Sequence, residues 1–298
     1  MKNHKKITKA VIAAAGYGTR FLPATKNQPK EMLPIIDKPI IQYLVEEAVD
    51  SGITDIILVT RSGQSIMEDY FDNNIALEYL LEKNGKKESL EMVREIPQIA
   101  NFVYVRQKRH LPYGNATPLL AVKNLIDDDE AFVYMFGDDM TIAKTPVTKQ
   151  LMDVFEREEA TGVLAVQEVP DSEVHKYGTV RYKTSASYKY EIEEQIEKAP
   201  LGKNPSNMAQ FGRFVFSYKY IEEAEKLQTG LGGELWIADM NNNLAHQGEK
   251  IIAQPIDGEW LTTGDPSSYL KTTFRFAMER EDLAKDLKEY LREFNLQG

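Results

Sequence analysis

Cysteine is missing from the 298 residues, and histidine occurs at only four positions. Without cysteine the chain can form no disulfide, thiolate nucleophile or cysteine-bound zinc site, which fits a reducing compartment. The histidines (His4, His110, His175 and His246) are scattered and lack the close spacing of metal ligands. These two shortages argue against a zinc hydrolase.

Long apolar runs are also lacking. At the N-terminus, the basic "MKNHKKITK" stands before the apolar "AVIAAAG", which is the order found in a signal peptide. This apolar run is too short for a signal peptide, however, and "YGTR" (17–20) follows it at once. No segment approaches the ~18 consecutive apolar residues that a membrane-spanning helix needs. We therefore expect no membrane association and a cytoplasmic location.

Positive charge is in deficit, because 36 lysines and arginines face 46 acidic residues and the net charge is −10. Such a chain repels nucleic acid on average, and it contains no long basic run. We expect no nucleic-acid partner. An anionic small molecule can still bind where the fold gathers a few cations.

Several short apolar runs predict buried strands. They are continuous rather than alternating, which is typical of a mostly parallel sheet covered on both faces. Helical patterns lie between them, such as "KPIIQYLVEEAVDSG" (38–52), which ends at a glycine. Strand and helix in alternation predict an α/β fold with a Rossmann-like sheet flanked by helices. The strand runs are "AVIAAA" (10–15), "DIILVT" (55–60), "FVYVRQ" (102–107), "AFVYMFGDD" (131–139) and "GVLAVQEV" (162–169).

The pattern changes in the second half of the chain. Apolar and polar residues alternate from "YGTVRY" onward, which predicts a small antiparallel insertion at about 172–218 that ends in the strand "QFGRFVFSY" (210–218). A helical tail is expected at about 266–298. Because no linker or internal repeat interrupts the sequence, we predict a single domain over 1–298.

A glycine loop, "GYGTR" (16–20), follows the first predicted strand. A loop between strand and helix exposes backbone N–H groups that stabilise phosphate. A dinucleotide fold requires a third glycine where Phe21 stands, and a Walker A loop requires Gly-Lys, which this loop lacks. An NAD-dependent oxidoreductase is thus disfavoured, and a phosphate loop of another kind is predicted.

Two acids, Asp138 and Asp139, follow the strand "AFVYMFG". The carboxyl ends of strands in open α/β sheets are where ligands bind. Magnesium prefers one or two carboxylates together with substrate phosphate oxygens. The pair therefore indicates a magnesium site, although a turn that is capped by an aspartate would have the same residues in sequence.

The chain resembles the bacterial UTP–glucose-1-phosphate uridylyltransferases, which are sugar nucleotidyltransferases. The likeness extends in order over essentially the whole chain. It is found in "AGYGTRFLPATKNQPKEMLPIIDKPIIQYLVEEAV" (15–49), "RQK" (106–108) with Gly114, "GDD" (137–139), "PSN" (205–207), "GR" (212–213) and "GGE" (232–234). The resemblance implies that UTP and glucose 1-phosphate are converted to UDP-glucose and pyrophosphate, with Mg²⁺ as cofactor and a homo-oligomer (dimer or tetramer) as the assembly.

The same resemblance implies roles for individual residues. Arg20 and Lys30 would act on the triphosphate, Asp138 on the metal, and Lys198 on the sugar phosphate. Lys26 has a weaker case as a phosphate contact. Further nucleotide contacts are implied for Ala13, Ala14, Gly16, Gly18, Gln107 and Gly114, sugar contacts for Gly178, Glu197 and Lys198, and secondary metal roles for Asp139 and Asp265.

The chemistry is consistent with these residue types. A sugar phosphate is mostly ionised at neutral pH, since its second pKa is about 6, so no serine, cysteine or histidine nucleophile is needed. The obstacle is to bring two polyanions together, which cations and positioning overcome. Arginine grips phosphate oxygens in a bidentate way, and the amide of Gln107 can both donate to and accept from a uracil edge.

Four positions depart from the family pattern: Asn115, Ala199, Trp236 and Thr262. Thr262 stands where an aspartate usually assists the metal, which predicts a weaker metal site, and Trp236 replaces a glutamine next to the expected sugar pocket. Another hexose 1-phosphate or dTTP therefore stays open as a substrate. A catalytically weakened nucleotide-sugar-binding regulator is also an alternative, although the cations and Asp138 are retained.

Overall fold

The computed structural model describes residues 5–200 and 202–295, so His4 and residues 296–298 of the predicted tail lie outside the described residues. Its strands are β1 Lys9–Ala14, β2 Pro34–Ile35, β3 Lys38–Pro39, β4 Asp55–Thr60, β5 Asn101–Arg106, β6 Ala131–Phe136, β7 Asp139–Ile142, β8 Gly162–Glu168, β9 Gly178–Tyr182, β10 Ile192–Glu197, β11 Met208–Ser217, β12 Ile251–Pro255 and β13 Glu259–Thr262. Its helices are α1 Ile40–Asp50, α2 Ile66–Tyr70, α3 Ile75–Lys83, α4 Lys87–Glu95, α5 Thr117–Val122, α6 Val147–Glu158, α7 Lys219–Lys226, α8 Ile237–His246, α9 Pro266–Glu279 and α10 Glu281–Asn295.

The central sheet has the strand order β10-β9-β11-β6-β1-β4-β5, with β8 paired to β11 and to β12. Strands β6, β1, β4 and β5 run parallel, while β11 is antiparallel to β6, β8 and β9. The predicted α/β class is confirmed. Parallel strands bring their carboxyl ends to one edge, and the loops that follow β1, β5 and β6 meet there.

Strands β1, β4, β6 and β8 are buried on both faces, as the continuous apolar runs predict, whereas β5, at the edge of the sheet, is partly exposed and the prediction of burial on both faces is wrong for it. Along β1, Ala10, Ile12 and Ala14 face one core cluster and Val11 faces the other. Apolar residues of α1 and α6 cover the first face, and those of α5, α7 and α8 cover the second. Successive side chains of a strand point to opposite faces, so a strand that is buried on both faces must be apolar at every position.

A buried ion pair joins α1 to the sheet. The guanidinium of Arg213, on β11, is fully buried and donates to both carboxylate oxygens of Glu47, at 2.7 to 3.1 Å. Glu47 also accepts hydrogen bonds from the hydroxyls of Thr141 and Thr148. Burial alone would raise the pKa of Glu47, but Arg213 and these donors hold it below its ordinary value.

The run 131–139 differs from its prediction because it is not one strand: β6 ends at Phe136, and Asp139 begins β7, which pairs with β13 in a separate two-stranded sheet. The predicted antiparallel insertion contributes β9, β10 and β11 to the main sheet. The predicted C-terminal tail is helical and has two parts, because the extended backbone of Arg280 ends α9 before α10 begins.

Within the described ranges, 5–200 and 202–295, every helix is too short or too polar to cross a lipid bilayer.

Candidate functional site

A central cavity of about 360 Å³ opens at the carboxyl edge of the parallel strands. The glycine loop after β1, the loop after β5 and the turn after β6 form its walls, and the chain around Trp236 closes one side. It is lined by Ala13, Ala15, Gly16, Arg20, Lys30, Glu31, Gln107, Tyr113, Gly114, Asn115, Pro118, Phe136, Asp138, Lys198, Glu234 and Trp236. All four residues predicted to be catalytic therefore line one cavity.

The glycine loop is shaped by its own hydrogen bonds. Gly18 has a φ of 61°, and its carbonyl oxygen accepts a hydrogen bond of 2.7 Å from the Thr25 hydroxyl. A Cβ at Gly18 would lie 3.2 Å from the Thr25 side chain, so a larger residue would be both strained and crowded. Gly18 lines a neighbouring cleft of about 300 Å³ that shares Gly16, Arg20 and Lys30 with the central cavity.

Lys30 and Asp138 form an ion pair at the floor of the cavity. Burial alone would lower the pKa of Lys30, but the carboxylates of Asp138 and Glu31 raise it above its ordinary value, so the ammonium stays charged. The carbonyl oxygen of Asp138 accepts hydrogen bonds from the backbone N–H and the hydroxyl of Thr263, at 2.7 and 2.9 Å. These two hydrogen bonds fix the backbone of Asp138.

Glu31 is a buried carboxyl group next to this pair, and its importance was not predicted from the sequence. It is 1% exposed, and its Oε2 has no hydrogen-bond partner among the described residues. Gly137 packs directly on it, because a Cβ there would lie 2.7 Å from Glu31 Cγ. Burial raises the pKa of Glu31 to about 7, against the opposing charge of Lys30.

In wild type, we expect the free energy of unfolding to fall as the pH rises, because the buried Glu31 must ionise. Glu31→Gln should remove this pH dependence. The folded protein binds this proton more tightly than the unfolded chain, because the pKa rises from 4.5 to about 7 on folding. The contribution of Glu31 is therefore most favourable below pH ~4.5 and declines by about 3 kcal/mol as pH rises to ~7. Urea unfolding from pH 4 to 8 measures the difference between wild type and variant.

The control for this measurement is Glu91→Gln, since Glu91 lies exposed on α4. Its difference from wild type should stay constant over the same range. A Glu31→Gln difference that is equally constant would show that Glu31 has an ordinary pKa.

The loop after β5 forms the wall that contains Gln107 and Gly114. Gly114 has a φ of 138°, and a Cβ there would lie 2.2 Å from the carbonyl oxygen of Leu235, so only glycine fits. The side-chain oxygen of Asn115 accepts a hydrogen bond of 2.8 Å from the backbone N–H of Ile237. Asn115, one of the four residues that depart from the family pattern, thus fixes the loop. Ala13 lines the cavity, whereas the side chain of Ala14 is buried in the core on the other face of β1.

Lys198 enters the opposite side of the cavity. It has a φ of 46°, and its ammonium lies 4.6 Å from the centre of the Trp236 ring and 3.7 Å from Glu197 Oε1. The Trp236 indole N–H donates to the Leu231 carbonyl at 2.8 Å, which fixes the ring beneath the ammonium. Trp236, which also departs from the family pattern, therefore orients Lys198.

Glu197 and Gly178 lie behind Lys198 and are not among the residues that line the cavity. A Cβ at Gly178 would be 2.6 Å from Glu197 Oε2, so the glycine makes room for this carboxylate. Burial raises the pKa of Glu197, although Lys198 opposes the shift.

Asp139 and Asp265 have structural partners. The carboxylate of Asp139 is buried and accepts hydrogen bonds of 2.7 Å from the backbone N–H of Gly212 and from the indole N–H of Trp260. Asp265 caps α9, where its carboxylate accepts from the N–H groups of Ser267 and Ser268. Of the three acids predicted for a metal, only Asp138 lines the cavity.

The chain is similar to known proteins over nearly its whole length. Residues 9–278 match the family model described as nucleotidyl transferase. The chain is 42% identical over 287 residues to the UTP–glucose-1-phosphate uridylyltransferase of Bacillus subtilis (strain 168), covering 96% of this chain and 97% of the relative. A Staphylococcus epidermidis protein of the same name, from strain RP62A, is 41% identical over 292 residues, covering 98% of this chain and all of the relative.

Solved structures show the same fold. A UDP-glucose pyrophosphorylase complexed with UDP-glucose superposes with a TM-score of 0.81 at 33% identity, covering 92% of this chain and 100% of that one. The UTP-bound UGPase from Acinetobacter baumannii superposes with a TM-score of 0.83 at 31% identity, covering 96% of this chain and 99% of that one.

Proposed function

The chain belongs to the nucleotidyl transferase family, and from that premise we propose that it is a magnesium-dependent uridylyltransferase that converts UTP and glucose 1-phosphate to UDP-glucose and pyrophosphate. The proposal rests on one observation above all. Arg20, Lys30 and Lys198 reach a single cavity, together with Asp138, in a protein whose net charge is −10. Such local focusing of positive charge suits a reaction between two phosphates.

In the proposed reaction, a phosphate oxygen of glucose 1-phosphate attacks the α-phosphorus of UTP in line. A new P–O bond forms, the bond from the α-phosphorus to its bridging oxygen breaks, and pyrophosphate leaves with that electron pair. No base is required, because the attacking phosphate, with a second pKa of about 6, is already ionised. Arg20 and Lys30 offset the charge of the triphosphate, and Lys198 binds the sugar phosphate.

Gln107 and Gly114 are proposed to bind the uracil base, with Ala13 on the other side. All three line the central cavity. Glu197 is proposed to accept hydrogen bonds from sugar hydroxyls. Its carboxylate lies 3.7 Å from the ammonium of Lys198, which lines the cavity. The backbone of Gly178 lies directly behind Glu197.

Nucleotidyltransferases of this family generally use a divalent metal, and we propose Mg²⁺ here. When bound, such an ion supplies positive charge to phosphate oxygens. Asp138 would hold it. Within residues 5–200 and 202–295, no group of three or more His, Asp or Glu could hold a metal alone. This donor set fits an ion that takes most of its ligands from the nucleotide.

We expect Thr262→Asp to lower the magnesium concentration that gives half-maximal rate several-fold. A Cβ at Gly264 would lie 3.2 Å from Asp138 Oδ2 and 3.4 Å from Thr262 Oγ1, so Thr262 and Asp138 face the same backbone position. A carboxylate at 262 would add a second hard ligand near the first. Magnesium titrations of initial rate measure the shift, and Thr262→Asn is the neutral control. Equal midpoints for wild type and Thr262→Asp would contradict a weakened metal site.

The proposed function is tested by pyrophosphate release from UTP, glucose 1-phosphate and magnesium. Galactose 1-phosphate, N-acetylglucosamine 1-phosphate and dTTP are assayed alongside, because Trp236 borders the sugar side. A preference for another substrate would identify the alternative within the same chemistry. Tight binding of UDP-glucose without turnover would favour a regulator.

We also propose a homo-oligomer in the cytoplasm. Leu270 and Phe274 on α9 are 69% and 41% exposed, and Tyr290 on α10 is 60% exposed, so these helices offer an apolar surface to a second copy. Phe276, by contrast, packs against the core. Sedimentation equilibrium measures the assembly state directly.

A further inference from the structure

A second concave site lies on the far side of the loop that contains Gln107. It is a cleft of about 310 Å³ between the end of β5, the loop 107–111 and helix α5, and we name it the basic cleft. Its walls include Arg106, Lys108, His110 and Lys123. None of the described residues that line it is acidic, although acids outnumber bases in the chain as a whole.

Two of these four groups are already paired, and two are not. Arg106 forms an ion pair with Glu68 at 2.7 Å, and Lys123 forms one with Glu225 at 2.5 Å. In the part of the chain that the structure describes, Lys108 and His110 have neither a hydrogen-bond partner nor an ion-pair partner for their side chains. Both side chains are exposed at the rim of the cleft. A ligand can therefore use their donors without breaking an existing contact.

The floor of the basic cleft is apolar. Val105, Leu111, Leu120 and Ala121 line it and are half-buried. An apolar floor beneath unpaired donors suits a ligand with a hydrophobic part and an anionic group. A phosphomonoester, which carries close to two negative charges at neutral pH, can engage both rim residues, whereas a carboxylate has one charge to share.

We propose that the basic cleft binds a phosphomonoester with an apolar group, and that this ligand changes the affinity of the central cavity for its nucleotide. Gln107 and Lys108 are consecutive residues, and the first lines the central cavity while the second lines the basic cleft. The backbone N–H of Gln107 donates to the Thr60 carbonyl at 2.8 Å, and Arg106 donates to the hydroxyl of the same threonine. A ligand that orders Lys108 thereby orders its neighbour.

The experiment uses phenyl phosphate as the probe and the full-length protein, with UDP-glucose at saturating concentration to occupy the central cavity. Isothermal titration should detect one bound equivalent. Lys108→Ser should weaken binding about tenfold, since one charge-assisted contact is lost. The matched control is Lys285→Ser, on the exposed face of α10, which should bind as wild type does. The absence of saturable binding, or equal affinities for wild type and Lys108→Ser, would overturn the site.

The coupling is measured separately, as the dissociation constant of UTP with and without phenyl phosphate. We expect a change of threefold or more in wild type and none in Lys108→Ser. By linkage, UTP must change the affinity for phenyl phosphate by the same factor. Binding without any change in UTP affinity would overturn the coupling. None of these measurements needs turnover, so a failed uridylyltransferase assay would leave their outcome interpretable.

Discussion

Replacing Lys30 with alanine is expected to lower the turnover number about 100-fold or more, because a preorganised charge in a water-poor site contributes strongly to the transition state. Lys30 is half-buried, and its pKa is raised by Asp138 and Glu31, so it is charged at any working pH. Asp138→Asn should produce a loss of similar size. The two losses should not add, because the two side chains form one ion pair.

Lys26 provides the matched control for this prediction. It lies four residues before Lys30, is exposed, and lines neither the central cavity nor the cleft beside it. Lys26→Ala should therefore keep the wild-type turnover number. Single-turnover rates at saturating UTP separate a slower chemical step from weaker binding, and the unfolding midpoint of each variant reports whether the fold is intact. A Lys30→Ala enzyme with the wild-type rate would remove Lys30 from the mechanism.

The second large effect concerns stability. Glu47→Ala should lower the free energy of unfolding by about 3–5 kcal/mol, since it leaves the charge of Arg213 buried and unpaired. Arg213 is fully buried, and Thr141 and Thr148 would lose their acceptor as well. Urea-induced unfolding measures the change.

The neighbouring residue Glu46 is the control for Glu47. It occupies the same helix and pairs with Lys38, but its side chain is 33% exposed. Glu46→Ala should therefore cost less than about 1 kcal/mol. Similar losses for the two variants would mean that the buried pair contributes no more than a surface pair.

The sequence was sufficient to predict the parallel strands and the glycine loop, since both depend on local patterns. Continuous apolar runs identify strands buried on two faces, with the edge strand β5 as the exception, and the loop after the first strand lines the cavity. The break after Phe136 was not predictable in this way. It depends on the pairing of Asp139 with Thr262, more than a hundred residues away.

Glu31 shows why part of the site was not predicted. In sequence it is one acid in "PKEMLP", next to a lysine, and such pairs are usually solvated. Its burial results from Gly137, which approaches from another strand's end. The same holds for Asn115, whose partner Ile237 is distant in sequence. Long-range contacts of this kind are set by tertiary packing, which local residue patterns do not encode.

The two sides of the cavity are mechanically connected. Backbone hydrogen bonds join Tyr113 to Leu235 at 2.8 Å and Leu235 to Ala116 at 3.1 Å, next to Trp236. The segment proposed to bind the base and the segment proposed to bind the sugar should therefore lose their freedom together, so that the substrate that binds first bears most of that entropic cost. Initial-velocity patterns should accordingly show synergism, with each substrate lowering the Michaelis constant of the other.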